Sequence, residues 1–233
     1  MNLRKMLLLA SVVLPLANAD TLLGPTPYLS FGDSPFNGAS TSYFFLEDFE
    51  DHLLNTPGVS ANTGGVTSVV FGPSIHDSVD ADDGSIDGSG LNGDSYFSGC
   101  GACGVTFTFD AGVLGALPTA AGIVWTDGAG DITFQAFGPG HVLLGQLGPL
   151  NDSPIFPDPS VNGETAEDRF FGIIAPGGVE SIFISNSSGG IEVDHLQYGL
   201  LKASTSPVPE PTSIMLLGAA LVAAAGISRR KKA

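Results

Sequence analysis

Basic residues are scarce in this chain of 233 residues, which has eight Lys and Arg against 24 Asp and Glu. Six of the eight lie near the two ends. The segment 20–207 therefore holds only Arg169 and Lys202 against 23 acidic residues, a formal charge of −21. Binding to nucleic acid or anionic lipid depends on basic side chains that neutralise phosphate. The composition argues against a nucleic-acid partner and favours cations, Ca²⁺ above all.

Cysteine is nearly absent, with two residues in the chain, Cys100 and Cys103. They lie in a Gly-rich stretch before a predicted strand, whereas a thioredoxin-like motif should open a helix. A haem c attachment would need His where Gly104 stands. A zinc site would need two further ligands, and the chain has no other Cys. The sequence predicts a local disulfide, formed after export.

Motifs of nucleophilic catalysis are also missing. The sequence has no Gly-x-Ser-x-Gly elbow, and its four histidines have no motif partner. Glycoside hydrolysis needs only two carboxylates about 5–10 Å apart, so that chemistry stays open as an alternative. The sequence predicts a protein that is not an enzyme.

The N-terminal segment Met1–Ala19 has the three zones of a secretory signal peptide. Two basic residues precede the apolar run Met6–Leu16, and small residues follow up to Ala19. A buried N-terminal helix is the alternative, but Pro15 within the run argues against it. We predict export through the general secretion machinery, with cleavage after Ala19.

The C-terminal segment Val208–Ala233 has a Pro-rich spacer, an apolar stretch Ile214–Ile227 and a basic cluster at 229–232. Fourteen helical residues reach about 21 Å, which is short of the hydrocarbon core of about 30 Å. A single hydrophobic helix of this length is marginal as a permanent span. The basic cluster predicts a cytoplasmic C-terminus while the tail lies in the membrane.

The residues Pro209, Glu210 and Pro211, followed by the short apolar helix and the basic cluster, resemble the PEP-CTERM sorting signal. The resemblance implies an exported protein of bacteria that make exopolysaccharide. It also implies processing of the tail by exosortase, a membrane enzyme. The protein would be anchored through its C-terminal helix before processing and would then reside in the cell envelope or outside the cell.

The body between the two ends, residues 20–204, alternates apolar and polar residues between Gly, Pro, Asn and Asp turns, as half-buried strands do. We predict an all-β fold, a two-layer jelly-roll-like sandwich, with a linker and sorting tail at 205–233. One helix is expected around Asp48–Leu54, although that segment also fits an irregular strand end. The predicted strands are Tyr43–Phe49, Val66–Phe71, Val105–Phe109, Gly122–Thr126, Ile132–Phe137, Val142–Leu147, Phe170–Ile174, Ser181–Ser185 and Ile191–Tyr198.

Three segments, Gly122–Gly128, Gly163–Gly172 and Gly190–Gly199, resemble the β-sandwich ectodomains of PEP-CTERM proteins. The last also resembles the closing strand of jelly-roll carbohydrate-binding modules. The resemblance implies a module that binds glycan or exopolysaccharide without cleaving it. A purely structural surface protein is the alternative.

Six carboxylates fall among glycines and serines in the eighteen residues Asp77–Asp94. Glycine lets a loop fold around an ion, and clustered charge repels itself unless a cation screens it. We therefore predict metal ligands in this loop, with a solvated acidic loop as the equal alternative. The candidate ligands are Asp80, Asp82, Asp83 and Asp87.

A second Ca²⁺ set follows from the resemblance to jelly-roll modules, whose first and last strands often share a structural ion. On these positions the ligands would be Glu47 or Glu50 together with Asp194. The apolar alternation also slips by one place at Asp194–His195, which predicts a bulge that re-aims both side chains.

Trp125 and Asp127 are the candidate ligand-facing pair, because an aromatic face beside a carboxylate can stack against a sugar and hydrogen-bond it. Trp125 follows two apolar residues. An ordinary core tryptophan is therefore the stronger alternative.

Overall fold

The computed structural model describes residues 19–70, 77–151 and 163–202. The predicted signal peptide, Met1–Ala19, falls on residues 1–18 except for its last residue, and the sorting motif Pro209–Pro211 and the C-terminal apolar helix fall beyond 202. These predictions lie outside the described residues. Within the described ranges, no helix is long and apolar enough to cross a membrane.

Ten antiparallel strands connect the described residues into one hydrogen-bonded network. The all-β fold predicted from the alternation is therefore confirmed. In the described part of the chain, helical structure is limited to the single-turn helices α1 (Thr67–Val70) and α2 (Ala111–Leu114) and three short 3-10 turns. The strands are β1 (Thr21–Pro27), β2 (Thr41–Glu47), β3 (Val59–Ala61), β4 (Gly65–Val66), β5 (Tyr96–Ser98), β6 (Val105–Phe109), β7 (Ala120–Gly138), β8 (Val142–Leu150), β9 (Arg169–Ile174) and β10 (Ser181–Leu201).

Strands β7 and β10 are long enough to take part in two layers. The first half of β7 pairs with β9, and its second half pairs with β8. Along its other edge, β10 pairs in turn with β6, β5 and β2. The register between β7 and β10 shifts between Asn186 and Ile191, where Gly128 and Gly130 have positive φ. The two strands thus change layer at a Gly-rich irregularity, as bulges allow.

Aromatic contacts join the two layers across the core. Phe134 in the second half of β7 lies 6.1 Å from Phe171 of β9, between ring centroids. Phe109 of β6 lies 4.8 Å from Tyr198 of β10. The largest buried side chain, that of Trp125, belongs to the same apolar cluster. These contacts make the fold sandwich-like, as predicted.

Two predicted elements are wrong. The segment Asp48–Leu54 forms turns instead of a helix, because the side chains of Asp48 and Asp51 accept hydrogen bonds from the backbone two residues on. Such local bonds compete with helix formation. The predicted strand Val66–Phe71 ends at Val66, and α1 begins at the next residue. There Asp94 accepts a hydrogen bond from the Ser68 backbone, which favours a turn of helix.

The predicted bulge at Asp194–His195 is confirmed. The register between β10 and β7 shifts between Asp194 and Gln197, and His195 has a φ of 43°. Both side chains are buried at this irregularity. The structure also pairs Cys100 with Cys103 in a disulfide, as predicted.

Candidate cation-binding site

The acidic loop Asp77–Asp94 is fastened to the body by its backbone. The Val79 N–H donates to Asp194 Oδ2 at 2.9 Å, and the Ala81 N–H donates to the Leu29 carbonyl at 3.1 Å. Within the loop, the Ser78 N–H donates to the Gly90 carbonyl at 3.2 Å. The loop is therefore an ordered part of the fold, and several of its carboxylates are buried instead of solvated.

Asp82, Asp194 and His195 form a three-residue cluster whose possible ligand atoms all lie within 4.8 Å of one another. His195 Nε2 lies 2.8 Å from Asp82 Oδ1, and His195 Nδ1 lies 2.8 Å from the Tyr28 hydroxyl. Burial first, and then Asp82, raise the pKa of Asp194 well above its ordinary value. Of the predicted metal ligands, the structure brings Asp82 and Asp194 together, and it adds His195.

The other predicted ligands of the acidic loop are not drawn into that cluster. Asp80 is buried, but its carboxylate accepts hydrogen bonds from the backbone of Asp87 and Gly88 and from the Thr165 hydroxyl. Asp83 accepts from the Ser85 N–H at 3.0 Å, and Asp87 is exposed. Backbone donors therefore occupy carboxylates that were predicted to hold an ion.

The glutamates of the second predicted Ca²⁺ set accept hydrogen bonds from the backbone, and Glu50 also interacts electrostatically with Asp82 of the cluster around Asp194. Glu47 Oε2 accepts hydrogen bonds from the N–H groups of Asn55 and Thr56, each at 2.9 Å. Glu50 Oε1 accepts from the Asp94 N–H. Both glutamates thus hold turns, while Asp194 groups with the acidic loop.

A different group of acidic side chains is buried beside the acidic loop. We call it the buried carboxylate cluster, and it comprises Asp77, Asp127, Glu164, Glu167, Asp168 and Glu192. Its members come from four separate stretches of chain: the start of the acidic loop, β7, the segment before β9, and β10. Asp127 and Glu192 stand directly opposite each other on paired strands. Like charges in that position destabilise a sheet.

The electrostatics of this cluster reflect burial and mutual repulsion. Burial, followed by Glu192, Glu167, Asp127 and Glu164, raises the pKa of Asp77 to about 10. Burial raises the pKa of Asp127 to about 6, with Glu164 adding to the rise and the Gly128 N–H opposing it. Without a compensating charge, the folded protein favours the protonated form of Asp77 at neutral pH.

Arg169 supplies positive charge at one side of the cluster. It lowers the pKa of Asp168, although burial and neighbouring carboxylates raise that pKa well above its ordinary value. The guanidinium Nη1 donates to the backbone carbonyls of Ala166 and Asp168 at 2.8 Å each. The carboxylates that act on the guanidinium are those of Asp168 and Glu167.

Trp125 and Asp127, the predicted ligand-facing pair, lie in different surroundings in the structure. Trp125 has no exposed surface and packs in the apolar core, so the prediction that it faces a sugar is wrong. The neighbouring residues Ile123 and Val124 are equally buried. Asp127, two positions further on, belongs to the buried carboxylate cluster. The apolar run before Trp125 was the signal for its core position.

Comparison with known proteins adds information about the C-terminal tail. No curated protein and no solved structure matches the chain. Residues 207–232 match the family model of the PEP-CTERM protein-sorting motif. The motif implies an exported protein that is anchored in the membrane before exosortase cleavage. The chain therefore carries a PEP-CTERM sorting motif, which supports its assignment as an exosortase substrate.

Proposed function

We propose that the protein is an exported, non-catalytic module of the cell envelope or extracellular matrix that binds extracellular polysaccharide. In this proposal the C-terminus stays cytoplasmic until exosortase cleaves the tail, and the β-rich body faces outward. The sorting motif at 207–232 supports the route.

The proposal that the protein is not a catalyst rests on the burial of the hydrogen-bonded group formed by Asp194, His195 and Tyr28. Asp194 and Tyr28 have no exposed surface, and His195 is 3% exposed. Burial, followed by Asp194 and Asp82, raises the pKa of Tyr28 above its ordinary value, which keeps its hydroxyl protonated. A catalytic acid or base must come within hydrogen-bond reach of its substrate. The group of Asp82, Asp194 and His195 is better suited to holding the acidic loop against β10.

A surface suited to a sugar lies where β7 turns into β8. Phe137 and His141 stack with ring centroids 4.3 Å apart and an angle of 3° between their planes. His141 is exposed, and the adjoining Val142 and Leu143 are 60% and 51% exposed. Flat aromatic and aliphatic surface of this kind can pack against the apolar face of a sugar ring. We assign the polysaccharide contact to this hairpin.

The charge of the body restricts which polysaccharide it can take. At −21, the segment 20–207 repels an anionic chain in the absence of cations. We therefore expect binding of neutral polysaccharide without added metal. Binding of acidic polysaccharide should require a divalent cation.

The proposal is tested by retention of the purified protein on exopolysaccharide from its host, measured with and without Ca²⁺. The variant His141→Ala should weaken binding while its thermal melt stays unchanged. Leu53→Ala, which shortens a residue that is 54% exposed in another segment, is the matched control and should bind normally.

Three results would change the proposal. Absence of retention on every host glycan would favour a purely structural surface protein. Release of reducing ends from a retained glycan would favour the hydrolase. Equal binding by wild type and His141→Ala would move the contact away from the hairpin.

A further inference from the structure

Asp77 is buried without hydrogen-bond compensation. The residue has no exposed surface, and neither of its carboxylate oxygens has a hydrogen-bond partner in the described part of the chain. Burying an ionised carboxylate without a partner is strongly unfavourable, and such groups in native proteins call for an explanation. Asp168 is in the same condition, with no exposed surface and two oxygens without a hydrogen-bond partner among the described residues.

Further unsatisfied oxygens belong to the same group of side chains. Asp127 Oδ1 and Glu164 Oε2 are also buried without a hydrogen-bond partner in the described ranges. With the two oxygens each of Asp77 and Asp168, four residues offer six such oxygens. Asp77 interacts electrostatically with Asp127, Glu164 and Glu192, and Asp168 interacts with Asp77, so these side chains are neighbours in space.

The charge and chemistry of these groups point to one kind of ligand. The buried carboxylate cluster consists of oxygen donors alone, without His or Cys. Ca²⁺ binds six to eight oxygen ligands, whereas zinc and copper prefer sulfur and imidazole. Among the described residues, the group of three whose possible ligand atoms lie within 4.8 Å of one another is Asp82, Asp194 and His195, so the carboxylates of the buried carboxylate cluster must draw closer to enclose an ion. Relief of their mutual repulsion by a cation would favour that contraction.

We infer that the buried carboxylate cluster binds a divalent cation, Ca²⁺ by its donor set, with Asp77, Asp127, Glu164 and Asp168 as ligands. The ion joins three stretches of chain that are far apart in sequence: the acidic loop, β7 and the segment before β9. This site is distinct from the group Asp82, Asp194 and His195, where the His195 side chain is hydrogen-bonded to Asp82 and the His195 N–H donates to Asp194. The inference does not depend on polysaccharide binding.

The test uses the full-length protein, freed of metal with chelator and titrated with Ca²⁺ at constant ionic strength. Calorimetry gives the stoichiometry, and thermal melts give the change in Tm. A ligand that binds only the folded state raises Tm by mass action, here by several degrees at a hundredfold excess over Kd. Tb³⁺ provides a second signal, because the single tryptophan, Trp125, lies two residues from Asp127 and can sensitise its luminescence.

Three Asp→Asn variants, each of which removes one negative charge, locate the ion. Asp77→Asn should abolish the Ca²⁺-dependent rise in Tm and the Tb³⁺ signal, and in chelator it should melt no lower than the wild type. The matched control is Asp87→Asn, which removes the same charge from an exposed position of the same loop and should keep both responses. Asp82→Asn should also keep them.

The outcomes separate the possibilities. Equal melting of the wild type in Ca²⁺ and in chelator, without Tb³⁺ luminescence, would overturn the inference. Loss of Ca²⁺ binding in Asp82→Asn but not in Asp77→Asn would move the ion to the His195 group and would overturn it as well. If Asp77→Asn does not fold, Asp168→Asn takes its place with the same expected losses, and the wild-type titration still decides whether an ion binds.

Discussion

Strand β7 carries two neighbouring regions with opposite physical character. Trp125 enters an apolar core in which burial alone is favourable, at about 25 cal/mol for each Å² removed from water. Asp127, two positions along, enters a region where buried carboxylates oppose one another. The core needs no ligand to be stable, whereas the acidic region gains stability only when its charge is compensated. Strand β7 therefore joins a region that is stable through burial alone to a region whose stability depends on compensation of its charge.

The sharpest test of this difference removes the centre of the apolar region. Trp125→Ala should lower the free energy of unfolding by about 3–5 kcal/mol, because it leaves a large cavity among residues with no exposed surface. The loss should be the same in Ca²⁺ and in chelator. Denaturant unfolding measures it, and Trp125→Phe, which leaves a smaller cavity, should cost less. A loss that depends on Ca²⁺ would show that the two regions are not separable.

The second test breaks the attachment of the acidic loop. Asp194→Ala leaves the buried Val79 N–H without its acceptor, which should cost about 1–3 kcal/mol. Cleavage of the loop Asp77–Asp94 by protease should become faster, as followed by mass spectrometry. Asp83→Ala removes a carboxylate that accepts only a local bond and serves as the control. Equal protection of the loop in both variants would contradict its attachment through Asp194.

The third test uses a variant that should be more stable than the wild type in chelator. In chelator, Asp168→Asn should raise the free energy of unfolding by about 1 kcal/mol, because the neutral amide is not repelled by the neighbouring carboxylates of Asp77 and Glu167. In Ca²⁺ the same variant should be less stable than the wild type. Thermal melts in chelator and in Ca²⁺ measure this change in the order of stability of variant and wild type. A variant that is destabilised equally under both conditions would contradict a cation-dependent region.

The smallest effect is expected at the edge of the acidic region. A hydrogen bond with Asp94, followed by the charge of that carboxylate, raises the pKa of His52. A raised pKa in the folded state means that the pair contributes stability below the unfolded value of about 6.5. That contribution is lost as the pH rises through the folded pKa. Titration by NMR should show the raised pKa, and Asp94→Asn should return it towards the ordinary value.

Much of the fold could be predicted from local pattern. The alternation at Val105–Phe109 and Ile132–Phe137 marks true strands, and the slip at Asp194 marks a true bulge. Short or irregular strands such as β3 and β4 could not be predicted, because two or three residues carry no period. The sequence also could not show that two predicted segments, Ser181–Ser185 and Ile191–Tyr198, form one long strand.

The candidate site was less accessible to sequence reasoning. The density of acidic residues in the loop predicted Asp82 as a ligand. It also predicted Asp80, whose carboxylate accepts hydrogen bonds from the backbone. The partners of Asp77 lie between 50 and 115 positions further along the chain, so no local spacing brings them to notice. Their type offered no signal either, because 23 acidic residues make any single one unremarkable in the sequence.

The position of β10 has a mechanical consequence for a protein held at its C-terminal end. β10 ends at Leu201, and the sorting motif begins at residue 207, so a pulling force on the tail reaches the body through the end of this strand. β10 is bonded to β7 from Ser181 to Gly199 and to β2 from Leu196 to Leu201. Antiparallel hydrogen bonds lie perpendicular to their strands, so a force along β10 loads many of them at once. Tension applied in that direction would therefore be resisted in shear, with the bonds of β10 loaded together instead of one after another.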